Sequence, residues 1–249
     1  MKLIKIHSMA IISAVIMLCF GTFVHAQQEQ QMAQAMKQNA VALQQYTWKS
    51  QTQIRKEGEV KATKVFSNRY AADGNVVQLQ LEESSAKVPK FGIRGMVARK
   101  KKEEAQNLVE ALQRLAKSYG ELPPATMQQF LKTAKASLET NTQQPQLRLQ
   151  GANVLQPGDT MVVWLDANSR RQRRIEINSS FDGKPVRIVT EFRDLPDGPT
   201  YMARSVVDYP DAELTLTVEN FDYEHLAAEE AIVEQDLRSK SYLAIKPIN

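Results

Sequence analysis

The chain has 249 residues, with 32 Lys and Arg against 28 Asp and Glu, three His and one Cys, for a formal net charge of +4. A single cysteine cannot close an intrachain disulfide, and zinc sites built from several His and Cys are excluded. No His-Glu-x-x-His, Walker lysine loop or Gly-x-Gly-x-x-Gly occurs, so nothing in the sequence calls for a metal, nucleotide or dinucleotide cofactor.

The first 26 residues carry an address. Lys2 and Lys5 precede an apolar run from Met9 to Phe20, Gly21 breaks it, and Val24-His25-Ala26 offers small residues for cleavage. That order predicts a secretory signal peptide over 1–26, cut after Ala26, and a protein delivered to the periplasm. An uncleaved anchor is the rival reading, but it wants about 20 apolar residues and this core is shorter. Cleavage removes Cys19, His7 and His25, which leaves His225 in the acidic stretch Asp222-Tyr223-Glu224-His225. A Cys nucleophile is then impossible, and a Ser-His-Asp system would have to use a histidine that reads as a solvated strand end. Burial alone must hold 27–249, which is long enough for one good-sized core and is read as one domain.

Gln27 to Gln45 places Met32, Met36, Ala40 and Leu43 at helical spacing, a stripe expected to face the core. Alternation then takes over. Tyr46, Trp48, Ser50, Thr52 and Ile54 share one face of a predicted strand, and Thr47, Lys49, Gln51, Gln53 and Arg55 the other. Lys56-Glu57-Gly58-Glu59 turns the chain into a strand over Val60–Tyr70, and Ala72-Asp73-Gly74-Asn75 turns it again into Val76–Leu81.

After Pro89 the period becomes helical. Ala105, Leu108, Val109, Leu112, Leu115, Ala116 and Tyr119 form one apolar stripe, which Gly120 and Pro123-Pro124 end. Met127, Phe130, Leu131, Ala134 and Leu138 predict a second, shorter helix, giving a helical insert over 94–139. Six strands follow, at Gln146–Leu155, Thr160–Asp166, Gln172–Ser180, Pro185–Arg193, Thr200–Asp208 and Glu213–Phe221. The turns between them leave no room for crossover helices, so neighbours must be antiparallel. An acidic helix from Leu226 to Arg238 and a loose tail over 239–249 close the chain. The fold class is α+β, a curved antiparallel sheet of about nine strands, a half-open barrel. One face is apolar and covered by the N-terminal helix and the inserted hairpin.

Element order in this chain resembles the LolA-like superfamily of periplasmic lipoprotein carriers. The matching features are the N-terminal helix, the strand Tyr46-Thr47-Trp48-Lys49, the inserted helical segment and the long meander. The resemblance implies a half-open barrel with helices as a lid and, as some members do, binding of an acyl chain inside. On that reading Tyr46, Trp48, Phe66, Trp164 and Phe192 line the cavity, Leu112 and Leu115 contact it from the helix, and both tryptophans report on one interior.

Two basic blocks stand out, one running from Lys87 through Arg99, Lys100, Lys101 and Lys102, the other Arg170, Arg171, Arg173 and Arg174. The simpler reading is a solvated helix start and a solvated hairpin. Lys100, Lys101 and Lys102 are the candidates for holding an anionic headgroup, with transient contact at a membrane surface. No aromatic residues interleave either block, so nucleic acid is not an expected partner.

Ser84-Ser85-Ala86-Lys87 fits a Ser-x-x-Lys pattern but lacks its Ser-Asp-Asn and Lys-Thr-Gly partners. The adjacent carboxylates Glu82-Glu83, Glu103-Glu104 and Glu229-Glu230 point to different faces and pre-form no facing pair. A hydrolase built from carboxylates on distant strands stays open. The expectation is a non-enzymatic periplasmic protein that binds an acyl chain or other apolar ligand as a lipid or lipoprotein carrier. The alternative is an envelope protein–protein interaction module with a filled core.

Overall fold

The computed structural model describes residues 34–85, 92–140, 144–196 and 198–226, with the backbone alone at 85 and 92–98. The expected signal peptide, Met32, Lys87, Lys90, the acidic helix beyond Leu226 and the tail over 239–249 lie outside the described residues. The chain divides into two units, 1–40 and 41–249. Of the first, residues 34–40 are described and are helical; the helix, α1, continues through 43. Met36, expected to face the core, is 37% exposed. Met36, Ala40 and Leu43 put only two large apolar side chains on this stripe, a narrow face compared with a core helix.

In the second unit, ten antiparallel strands form one open sheet in the order β3-β2-β1-β10-β9-β8-β7-β6-β5-β4. They are β1 Tyr46–Lys56, β2 Glu59–Tyr70, β3 Val76–Ser85, β4 Lys135–Glu139, β5 Gln146–Ala152, β6 Thr160–Asp166, β7 Gln172–Phe181, β8 Lys184–Asp194, β9 Thr200–Tyr209 and β10 Leu214–His225. Between β3 and β4 come α2, Gly92–Gly120, and α3, Pro124–Thr133. The sheet does not close on itself, so the half-open, helix-bearing architecture expected from the sequence is present.

The tenth strand is β4. Leu138 was expected on the second helix, but α3 ends at Thr133, Ala134 turns extended at ψ 138°, and Leu138 pairs with Leu147 of β5. A free strand edge on β5 outbids one more helical turn, because each extended residue there gains ladder hydrogen bonds. Turn chemistry holds elsewhere. Glu57-Gly58 and Asp182-Gly183 both adopt positive φ, 55° and 77° in the first and 50° and 71° in the second, the geometry of two-residue hairpin turns.

Register separates the two faces. Ile54, Leu216, Val207, Ile188, Ile177 and Met161 lie in one row across β1, β10, β9, β8, β7 and β6. All but Ile54 of that row are buried, and α2 and α3 lie on this side. α2 buries Val109, Leu112 and Tyr119 on one stripe, and Phe130 of α3 sits over Gly151 of β5. Tyr119 ties helix to sheet: its hydroxyl donates to Asp159 Oδ2 at 2.6 Å and lies 2.8 Å from Ser179 Oγ of β7. Asp159, 1% exposed, also accepts from the backbone N–H groups of Val154, Leu155 and Gln156 at 2.6, 2.9 and 3.0 Å.

Burial opposes the Asp159 carboxylate, but the Tyr119 and backbone donors outweigh it and hold its pKa below the usual range. The same site pushes the Tyr119 hydroxyl up to about 12, through burial first and the Asp159 bond second. A depressed carboxyl pKa contributes stability above the unfolded-state value near 3.9, which is lost as pH falls through the folded value. Acid unfolding of Asp159→Asn should therefore show a shallower loss of stability below about pH 4 than the wild type, measured by denaturant midpoints against pH. At Gly151, a Cβ would come within 2.8 Å of two Phe130 ring carbons. Gly151→Ala should cost about 1–3 kcal/mol by overpacking, read from equilibrium unfolding.

Candidate functional site

Where α2 and α3 give way, the helix-covered face becomes aromatic. Trp48 of β1 is 8% exposed and stands between Tyr70 of β2, at 5.1 Å between ring centroids, and Tyr223 of β10, at 5.7 Å and nearly parallel. Tyr201 of β9 closes on Tyr223 at 4.4 Å, and Tyr46 meets His225 edge-on at 5.0 Å. Phe66 shares the face with Asn68 and lies opposite Ser50 and Gln80; it is half-buried.

A local irregularity builds this cluster. Thr47 pairs with Glu224 and Lys49 with Phe221, so β10 carries an extra residue there, and Asp222 takes φ 50°. The bulge turns Tyr223 onto the Trp48 side. Beneath Trp48, buried Asn68 donates to Trp48 O at 3.3 Å and Ser50 Oγ at 3.0 Å, and accepts from Gln78 Nε2 at 2.9 Å. This ladder joins β1, β2 and β3 and fixes the strand that presents the indole. Burial pushes the Tyr70 hydroxyl pKa up, and burial followed by the charges of Tyr70 and Tyr201 does the same more strongly at Tyr223. Both hydroxyls stay neutral, so the rings offer apolar surface.

Between the cluster and the packed centre runs a polar band. Thr190 and Ser205 lie 3.0 Å apart through their hydroxyls, and Asn220 Nδ2 donates to Met202 O at 2.9 Å. Lys64 reaches Glu83 at 3.4 Å. A Gln80 hydrogen bond first, then Lys64, holds the Glu83 carboxyl below its usual range, with a smaller contribution from Lys102.

The sequence-predicted site residues separate. Tyr46, Trp48 and Phe66 gather on the helix-covered face, and Phe192 falls on that face too, in alternation with Val186 and Ile188. Leu112 is fully buried and Leu115 half-buried in the helix–sheet packing. Lys100, Lys101 and Lys102 are exposed, as is every described side chain of α2 up to Asn107. Trp164 is on the opposite face, so the two tryptophans do not share an interior. Every residue of Met161–Leu165 is apolar, and period two cannot say which half of such a strand points inward. Sequence reasoning also missed Tyr70, Tyr201 and Tyr223. Tyr70 was legible, since it lies four residues after Phe66 on one strand face; Tyr223 depends on the bulge.

The outer face is a charged lattice. Arg148, Trp164, Arg174, Glu191, Arg204 and Glu219 form one register row. The Arg148 and Arg174 guanidiniums stand 5.7 and 5.4 Å from the Trp164 ring, whose Nε1 donates to Glu139 at 3.2 Å. Glu176 takes Arg174 at 2.8 Å and Arg187 at 3.0 Å, and Arg204 meets Glu219 at 3.2 Å. A shallow hollow of about 150 Å³ lies here, lined by Gln51, Gln53, Arg55, Arg204, Thr217 and Glu219 among others. His225 is exposed, 2.9 Å from Leu226 O and 3.2 Å from Gln45 Oε1. Among the described residues no group of three or more His, Cys, Asp or Glu gathers as a metal site, and no helix is long and apolar enough to cross a membrane.

No protein-family model and no curated protein matches the sequence. Among solved structures, the fold is similar to a DUF1329 family protein from Desulfovibrio piger, at 10% identity and a TM-score of 0.41 over 80% of this chain and 93% of that one. It is also similar to a domain assigned as an outer membrane lipoprotein-sorting protein from Vibrio parahaemolyticus, at 12% identity and a TM-score of 0.38 over 80% and 92%. A LolA superfamily protein from Nitrosomonas europaea matches at 9% identity and a TM-score of 0.37, over 78% and 93%.

The two indoles should respond differently to iodide. Trp164, flanked by two guanidiniums, gathers the anion, whereas Trp48 is shielded by tyrosines. Iodide should quench Trp48→Phe protein, which keeps Trp164, several times more strongly than Trp164→Phe protein, and added salt should narrow the gap.

Proposed function

We propose that this is an exported, non-enzymatic protein of the periplasm that binds an acyl chain or another apolar group on the aromatic end of its helix-covered face. One observation supports this above the rest: Tyr46, Trp48, Tyr70 and Tyr223 come together at the end of that face, beyond the part packed by α2 and α3, with Phe66 on the same face. Affinity comes from buried apolar area, at about 0.8 kcal/mol per methylene. The exposed first half of α2 supplies Lys100, Lys101 and Lys102 for an anionic headgroup, and the same lysines suit brief contact with a membrane surface. The basic, apolar and small-residue order of 1–26 supports export.

A second reading, an envelope protein–protein module, draws on the packed centre. Leu112 is 0%, Met161 1%, and Ile188 and Leu216 2% exposed, so the middle of the face has no room for a chain. Native mass spectrometry of protein purified gently from its own envelope separates the two: an extractable extra mass supports a carrier, and a bare mass supports the module.

The aromatic seat has its own test. A brominated fatty acid should quench Trp164→Phe protein, which keeps Trp48, and leave Trp48→Phe protein unchanged. Trp48→Ala should weaken binding roughly tenfold, about 1.4 kcal/mol, with the fold retained. Equal quenching of both indoles, or of neither, would sink the proposal.

A further inference from the structure

The strand that brings Phe66 and Tyr70 to the aromatic end also carries a cation on the same face. Along β2, Lys64, Phe66, Asn68 and Tyr70 alternate onto the helix-covered side. Lys64 lies opposite Thr52 of β1 and Glu83 of β3, and Phe66 lies opposite Gln80. The Lys64 side chain is 34% exposed, and its ammonium stands 3.4 Å from Glu83 Oε1. Gln80 Nε2 donates to the other Glu83 oxygen at 3.1 Å, and the charge of Lys102 on α2 adds to the field that keeps this carboxyl ionised. Two cations and an amide thus surround one carboxylate, next to the rings. Glu83 itself is 40% exposed and belongs to β3, which has a neighbour on one side only.

We propose that Glu83 stands in for the acidic head of the ligand. Lys64, Gln80 and Lys102 take the carboxylate or phosphate of an amphiphile whose chain runs over Phe66 to Trp48 and Tyr70, and Glu83 gives way to it. This rests on the reading of the aromatic end as an acyl seat, and it gives that seat a direction. From Lys64 to Tyr70 the strand covers about 20 Å, room for one extended acyl chain. Charge favours an anionic head, since the hydrogen bonds that hold Glu83 are of the strong, charge-assisted kind. The exchange never leaves the Lys64 ammonium unpaired, because one acid arrives as the other departs. Glu83 moves out to water, where losing a half-exposed ion pair costs little.

Titration calorimetry of the full chain, exported and processed by the cell, tests this with dodecanoate, dodecyl phosphate and dodecanol. Wild type should bind at least one of the anions about tenfold more tightly than the alcohol, and the tighter anion names the head. Glu83→Gln removes the competing acid and should tighten anion binding severalfold while leaving dodecanol unchanged. Glu82→Gln makes the same charge change opposite Val65 on the outer face, and should leave all three unchanged. Lys64→Gln should abolish the preference for anions, with dodecanol binding and thermal unfolding retained. Equal binding of anions and alcohol by wild type, or a Glu83→Gln protein that gains no more than Glu82→Gln, overturns the head site and leaves the acyl seat standing. No binding of any of the three, with no quenching of Trp48 by brominated fatty acid, overturns both.

Discussion

The pairing of β1 with β10 is the contact on which this molecule turns. It joins Tyr46–Lys56 to Leu214–His225, so the first three strands and the later meander become one sheet. Closing so long a loop costs entropy that grows only logarithmically with its length, and an extended antiparallel ladder offsets it. The aromatic cluster exists only because of this pairing, since Trp48 and Tyr223 come from its two sides. The order of strands in space, with the N-terminal hairpins added beyond the last strand, follows from the same contact.

Two different solutions to burial then share one face. At the centre, α2 and α3 fill the space with Leu112, Tyr119 and Phe130, and a glycine at 151 lets a ring approach the sheet closely. At the other end rings pack on rings, held by a buried amide ladder through Asn68. The hydroxyl and amide band of Thr190, Ser205 and Asn220 lies between them. Packing at the centre is tight enough to fix the helices, while the aromatic end keeps partly open surface. That division supports uptake of an apolar group at the cluster and not under the helices.

The outer face shows how a sheet tolerates large apolar residues on its wet side. Trp164 is covered there by the planar heads of Arg148 and Arg174. Ion pairs through Glu176 and Glu139 hold those arginines in place. The second basic block is thus part of the wall: Arg174 lies over an indole, and Arg171 and Arg173 reach Asp194 at 3.3 and 2.8 Å.

The sequence by itself determined most of the local structure. Alternation, Gly-containing turns and the 3.6-residue stripe of α2 are written in neighbouring residues, so the strands, the hairpins and the helix–sheet division were legible, as was the placing of Tyr46, Trp48 and Phe66 on one face. Tertiary structure decided what depends on distant partners. Lys135–Glu139 became a strand because β5 offered an edge, Tyr223 joined Trp48 through a bulge in the first-to-last strand pairing, and Trp164 went outward. The physical reason is common to all three. Period two tells which residues share a face, but only the strands on either side decide which face is covered.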